Sequence, residues 1–195
     1  MSKKLILLIG APGSGKTTDG QAIAKNHPEI TSYSLGNLLK EEIARGTATG
    51  KIINDYVSKG DLVPTAIAID TLCSAIKKAP TEVVLVDGFP RKEKHMKIFA
   101  DVVFNESDKV DLISVIEVRV SEDIARERVL NQESTKEDEE LFNHQMAVYK
   151  DAIEHIEEFY KHKNLLKVID GERDVDVVVA EIDAFLKEKV ALAPA

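Results

Sequence analysis

Residues 5–17 read LILLIGAPGSGKT: an apolar run from Leu5 to Ile9, then Gly10-Ala11-Pro12-Gly13-Ser14-Gly15-Lys16-Thr17. A short, wholly apolar run of this kind reads as a strand buried on both faces. The segment behind it has the G-x-x-x-x-G-K-[ST] spacing of a loop that leaves a strand and enters a helix. Gly10, Gly13 and Gly15 permit backbone dihedrals and close approaches that a side chain would block. The N–H groups of the loop, with the start of the next helix, form a concave site of positive potential for oxyanions. Lys16 adds a mobile charge for the β and γ phosphates, and the Thr17 hydroxyl is placed to ligate Mg²⁺. A glycine-rich turn without a ligand is the bland alternative. The coincidence of motif, strand and position argues against it, so the stretch predicts a nucleoside triphosphate site.

Working outward, three more apolar runs read as buried parallel strands: Val83–Val86, Ile113–Val120 and Leu166–Ile169. Helical pattern separates each from the next, the signature of an α/β parallel sheet. About 70 residues lie between the first two runs, far more than one crossover helix needs. They read as helices over Thr17–Lys25, Gly36–Arg45, Lys51–Lys59 and Thr65–Lys78, which predicts a helical insertion after the first βα unit. Gly46, Gly50 and Gly60 punctuate it as turns or hinges. Helices are also expected over Glu122–Leu130, Glu139–His162 and Asp176–Val190, with a frayed tail at Ala191–Ala195. The polar stretch Asn131–Asp138 reads as a lid or a solvated surface loop.

Composition narrows the class. The chain has 195 residues, 44% of them hydrophobic and 31% charged, and a formal net charge of −8. That length suits one domain with a full core, and the acidic balance argues against nucleic acid or an anionic membrane as the main partner. The single cysteine, Cys73, excludes an internal disulfide and a cysteine-cluster zinc site, and reads as a packed apolar side chain. The first apolar run is too short to span a bilayer and has no signal-peptide character, so a cytoplasmic protein is expected. His27, His144, His155 and His162 lie on polar or helical stretches and read as solvated or capping residues.

A second constellation follows the Val83–Val86 run: Asp87-Gly88-Phe89-Pro90-Arg91. An acidic residue at the carboxyl end of a neighbouring strand suits magnesium held beside a phosphate loop. Gly88 lets the backbone pass close to a ligand, and Pro90 stiffens the turn carrying Arg91. Arginine suits that place because its planar fork grips phosphate oxygens and keeps its charge. Taken singly, Asp87 could be a cap and Arg91 a surface ion pair.

These segments together resemble the adenylate kinases, and more broadly the short-lid nucleoside monophosphate kinases. The resemblance runs through GAPGSGKTT (10–18), SLGNLLK (34–40), GKIINDYVSKGDLVP (50–64), DGFPR (87–91), ARERVL (125–130) and VIDGERDV (168–175). It implies a P-loop fold with a five-stranded parallel sheet and flanking helices. A core of about 1–33, 61–130 and 139–195 would carry a monophosphate-binding insertion at about 34–60 and a short lid at about 131–138. It implies transfer of the γ-phosphoryl of Mg-ATP to a nucleoside monophosphate, usually AMP, by a monomer. ATP would meet Gly10, Gly13, Ser14, Gly15, Lys16, Thr17, Thr18 and Arg128. The monophosphate would meet Lys40, Leu62, Val63, Gly88, Arg91 and His95. Thr17 and Asp87 would hold the Mg²⁺, and Lys16, Arg91 and Arg128 would stabilise the transferring group.

The chain departs from that pattern at contact residues. Leu35 stands where the family has a hydroxyl, and Lys40 replaces an arginine, keeping the charge but not the bidentate fork. His95 replaces a glutamine that reads the adenine edge. Gln132 and Gln145 stand at two lid-side arginine positions, leaving Lys136, Lys40 or Arg126 to compensate. Two other readings therefore stay open: a nucleotide-binding module without catalysis, and a P-loop kinase for another small acceptor.

Overall fold

The computed structural model of the protein describes residues 2–105 and 110–190. Its centre is a five-stranded parallel sheet of β1 (Lys3–Ile9), β2 (Ile30–Ser34), β3 (Val83–Asp87), β4 (Val110–Arg119) and β5 (Leu166–Asp170), in the order β2-β3-β1-β4-β5. Eight helices are described around it: α1 (Lys16–Asn26), α2 (Leu35–Ala44), α3 (Ala48–Val57), α4 (Thr65–Lys78), α5 (Glu93–Asn105), α6 (Glu122–Val129), α7 (Lys136–His162) and α8 (Val175–Lys189). The expected α/β class and parallel sheet are what the chain adopts.

Successive residues of a strand point to opposite faces, and both faces of this sheet are covered by helices. Leu5, Leu7, Val84, Val86 and Val115 pack on one side with Leu39, Leu72, Phe99 and Ile156. On the other side Ile6, Leu8, Leu85, Ile116 and Val118 meet Ile23, Ile182 and Leu186. This is why β1 reads as an unbroken apolar run. A satellite cluster of Ala11, Ala125, Phe142 and Met146 ties the phosphate loop to α6 and α7.

The expected elements differ from the observed ones at several places: α3 begins at Ala48 rather than Lys51, so that Gly50 lies inside a helix and is neither a turn nor a hinge, and β4 begins at Val110 rather than Ile113. The sequence predicts no strand over Ile30–Ser34, because Ile-Thr-Ser-Tyr-Ser has no apolar run. β2 is an edge strand paired only with β3, and only Ile30 in it is fully buried. The run Lys92-Glu93-Lys94 suggests a helix face after the Arg91 turn, and the helix there, α5, extends over Glu93–Asn105. Helix α7 begins at Lys136 rather than Glu139, because Thr135 and Asp138 form a reciprocal capping box there. The three residues Lys136, Glu137 and Asp138 of the expected lid are thus its first turn. The tail Ala191–Ala195 lies outside the described residues.

The register positions the site. Leu8 of β1 and Ser34 of β2 both stand opposite Asp87 of β3, so three neighbouring strands deliver their carboxyl ends side by side. In an open parallel sheet that edge is where ligands bind.

Candidate active site

The loop after β1 is shaped by its packing as much as by its sequence. Gly13 has φ 80°, and a Cβ there would stand 2.7 Å from the Ala125 carbonyl oxygen and 2.7 Å from Val129 Cγ2. Only glycine fits between the loop and α6 in that conformation. Gly15 caps α1, and Lys16 is the first helical residue. The Lys16 ammonium donates to the Ala11 carbonyl at 3.1 Å, folded across its own loop. Its pKa is lowered to about 8, chiefly by burial and then by the charge of Arg91, with Asp87 pulling the other way. An anion in the loop would reverse that shift.

Thr17 and Asp87 come together from α1 and β3. The Thr17 hydroxyl donates to Asp87 Oδ1 at 3.0 Å. Asp87 is buried, which raises its pKa; Lys16, the Thr17 hydroxyl, Arg91 and Ser34 oppose the rise, in that order. Hydroxyl and carboxylate are hard oxygen donors that suit Mg²⁺. Among the described residues no group of three or more His, Cys, Asp or Glu could hold a metal ion unaided. That also fits magnesium, which is commonly held by one or two carboxylates with substrate phosphates and water completing its shell.

Arg91 leaves the β3 turn folded back over it. Its Nε–H donates to the Gly88 carbonyl at 2.9 Å, and a Cβ at Gly88 would stand 3.0 Å from Arg91 Nη2. Gly88, at φ 81°, therefore makes room for the guanidinium. Arg91 borders two cavities. One, of about 290 Å³, is floored by Gly10, Pro12, Gly13 and Lys16 and walled by α7 through Tyr149, Ile153 and Ile156. The other, of about 210 Å³, is lined by Leu35, Lys40, Leu62, Val63, Arg91 and His95. Gly60, Leu62, Arg91 and Gln145 border both, so the two spaces adjoin at these four residues.

Lys16, Thr17, Asp87, Gly88 and Arg91 thus converge as the sequence suggests, and Lys40, Leu62, Val63 and His95 gather around the second cavity. Thr18 is exposed on α1 and borders neither space. Arg128 is an exposed residue that braces the loop. Its Nη1 donates to the Ser14 carbonyl at 3.2 Å and its Nη2 to the Gly171 carbonyl at 2.8 Å, which holds the phosphate loop to the turn after β5. Arg126 is occupied on the surface, where it donates to Asn143 Oδ1 at 2.5 Å and lies over the Phe142 ring. Gln132 and Lys136 are exposed, whereas Gln145 sits at the junction of the cavities.

Some features escaped the sequence. Asp19 is buried behind the phosphate loop with Oδ2 unpartnered, and burial raises its pKa to about 6 against the opposing charge of Arg128. Its signal was an acidic residue in the first turn of a helix packed on a sheet. The α7 wall has a helical signal too, since 145, 148, 149, 152 and 156 recur at i, i+3 and i+4 on one face. Of the histidines expected to be solvated or capping, His27 is the C-cap of α1 but is buried, and His144 is exposed and paired. His27 is 1% exposed and its Nε2 contacts Asp183, joining α1 to α8. His144 Nε2 lies 2.7 Å from Asp61 Oδ1, linking α7 to the segment after α3. His95 is also buried, with Nε2 unpartnered, and an orphaned buried donor or acceptor costs about 1–3 kcal/mol.

The comparisons with known proteins agree with this geometry. The family model for adenylate kinase matches residues 8–165. The adenylate kinase of Sulfurovum sp. (strain NBC37-1) is 50% identical over 197 residues, covering 96% of this chain and 100% of that protein. The adenylate kinase of Nautilia profundicola is 46% identical, covering 97% of this chain and 100% of its own. That of Wolinella succinogenes is 47% identical, covering 96% and 100%. A phosphate loop beside Asp87 and Arg91, two cavities that share Arg91, and near full-length identity of this order lead to one conclusion: the chain belongs to the adenylate kinase family.

Proposed function

We propose that the protein transfers the terminal phosphoryl group of Mg-ATP to AMP, giving two ADP. The observation that carries this reading is the pair of cavities that share Arg91: one floored by the phosphate loop, the other lined by Lys40, Leu62, Val63 and His95. Two anionic substrates can lie there with their reacting phosphates toward each other.

The chain's own work is positioning and charge. Backbone N–H groups of residues 13–17 cradle the triphosphate at the start of α1. Lys16 leaves the Ala11 carbonyl for the β and γ oxygens, and Arg91 clamps the monophosphate from the β3 turn. Ser14 and Gly15 hold the loop in place. Thr17 and Asp87 would hold Mg²⁺, which when bound neutralises and orients the phosphates. Arg128 acts through the loop, since its bonds to the Ser14 and Gly171 carbonyls fix the backbone that receives the triphosphate. Lys40 supplies the acceptor side with a cation, and Leu62 and Val63 supply its apolar wall.

We assign α2 and α3 to the monophosphate-binding insertion of residues 34–60, and the turn before α7 to the short lid of 131–138. The enzyme on this reading is a magnesium-dependent cytoplasmic monomer, an expectation carried by the family resemblance. Among the described residues no helix is long and apolar enough to cross a membrane.

The test is ADP formation from Mg-ATP and AMP by the purified chain, with Lys16→Ala prepared identically as the contamination control. Activity that disappears in Lys16→Ala is the expected result. ADP formation no greater than in that control, from folded protein, would overturn the reading.

A further inference from the structure

Asp61 and His144 join two elements close to where the cavities adjoin. Each stands on fixed backbone. The turn that ends α3 holds Gly60 at φ 76°, and the Asp61 N–H donates to the Tyr56 carbonyl at 3.1 Å. His144 lies inside the long helix α7. Its Nε2 is 2.7 Å from Asp61 Oδ1. A carboxylate accepts hydrogen bonds and does not donate them, so Nε2 is the donor. The backbone beside this pair is packed as closely. A Cβ at Gly60 would stand 2.8 Å from Leu141 Cδ1, 3.1 Å from His144 Cδ2 and 3.3 Å from Gln145 Cγ. Those three residues share one face of α7 at i, i+3 and i+4. The chain neighbours of the pair are cavity residues: Gly60 and Leu62 flank Asp61, Gln145 follows His144, and all three border both spaces.

We propose that Asp61 and His144 are positioning residues for the acceptor, whose hydrogen-bonded pair ties the end of the α2–α3 insertion to α7 and raises the affinity for the nucleoside monophosphate through Leu62 and Gln145. The inference rests on the reading of the second cavity as the monophosphate site. That cavity draws its walls from separate parts of the fold. Leu35, Lys40 and Val57 come from the insertion, Arg91 and His95 from the segment after β3, and Gln145 from α7. An acceptor binds only while these walls keep one spacing, and its apparent affinity scales with the fraction of molecules that keep it. The tie raises that fraction before the ligand arrives. It also gives a partner to the Asp61 carboxylate, which borders the same cavity and would otherwise stand unpaired beside an anionic substrate. Both side chains are 46% exposed, so the tie is worth a few-fold in affinity and no more. The phosphate loop is braced instead by α6 and the turn after β5, so the effect falls on the acceptor and not on ATP.

The experiment measures ADP formation, and separately the calorimetric affinities for AMP alone and ATP alone, in wild type and four variants. His144→Ala removes the donor, and His144→Gln replaces it with an amide N–H. Asp61→Ala and the double variant Asp61→Ala/His144→Ala complete a cycle. His144→Ala is expected to raise both KM and Kd for AMP by about three- to fivefold, with kcat and ATP affinity within about 1.5-fold of wild type. His144→Gln should recover most of that loss. In the Asp61→Ala background, His144→Ala should have no further effect. An unchanged AMP affinity in His144→Ala would overturn the proposal, as would equal losses for AMP and ATP, or a His144→Ala effect that persists in full without Asp61. Failure of the kinase reading shows itself differently. AMP binding that follows the tie without any ADP formation supports the tie and overturns the kinase, whereas ADP formation with an AMP affinity blind to His144 does the reverse. No AMP binding by wild type overturns both.

Discussion

The Thr17 hydroxyl donates to Asp87 Oδ1 at 3.0 Å, joining the end of the phosphate loop to the end of β3 across 70 positions of sequence. The contact exists because β1 and β3 are neighbours in register, with Leu8 opposite Asp87. It places the two expected magnesium donors side by side.

Asp87→Asn should therefore separate folding from chemistry. The amide oxygen can still accept from Thr17, so the fold and metal-free ATP binding should change little. Loss of the anionic ligand should lower Mg-ATP turnover by about 10²–10³-fold. Parallel assays of ATP affinity with chelator and of ADP formation with Mg²⁺ check this, and equal losses in both would count against a metal role.

Gln145 and Gln132 should respond differently to arginine. Gln145 borders both cavities beside Arg91, whereas Gln132 is exposed and borders neither of them. A new guanidinium at 145 would meet the transferring group in a partly desolvated place, so Gln145→Arg should raise kcat by roughly 10–10²-fold. Gln132→Arg should stay within about threefold, as a solvated surface charge does. Stopped-time ADP assays of both variants give the comparison.

Arg128→Ala removes donors from the Ser14 and Gly171 carbonyls and the positive neighbour of buried Asp19. The expected cost is about 1–3 kcal/mol of stability, or roughly 2–10 °C in Tm for a chain of this size. The Michaelis constant for ATP should rise as the loop loses its brace. Thermal melts with and without ATP test both effects.

Acid stability carries the signature of His95. Its pKa is about 4 in the folded protein against an ordinary 6.5. Between those values the unfolded chain holds a proton that the folded chain does not, so the contribution of His95 to stability rises with pH and is lost as pH falls toward 4. The full effect is bounded at about 3 kcal/mol. Asp19 works in the opposite direction, because its pKa is raised from 3.8 to about 6 and its ionisation destabilises the fold as pH rises through that range. The difference between wild type and His95→Gln in denaturant titrations from pH 4 to 7 isolates the histidine, and parallel slopes would refute its buried neutral state.

Much of the site was legible locally. The loop from Gly10 to Thr17 and the turn from Asp87 to Arg91 declare themselves because each needs particular residues in consecutive order: glycines where backbone must pass, a lysine, a hydroxyl, a carboxylate, an arginine. β1 and β3 declare themselves because burial on both faces leaves unbroken apolar runs. β2 did not, since an edge strand needs no such run, and the start of α7 was hidden in a polar capping box.

The sequence by itself determined the class of fold, the phosphate loop and the identity of the chemical groups on offer. Only the tertiary structure decided their partners. It bonded Arg128 to the phosphate loop and Arg126 to α7, brought Gln145 rather than Gln132 to the junction, and buried His27, Asp19 and His95. Those outcomes depend on contacts between segments far apart in the chain, made when α6, α7 and α8 pack against a sheet whose order is not its sequence order. A motif specifies its own backbone, but the environment of a side chain, and hence its charge and its free hydrogen-bonding atoms, belongs to whatever the fold places against it.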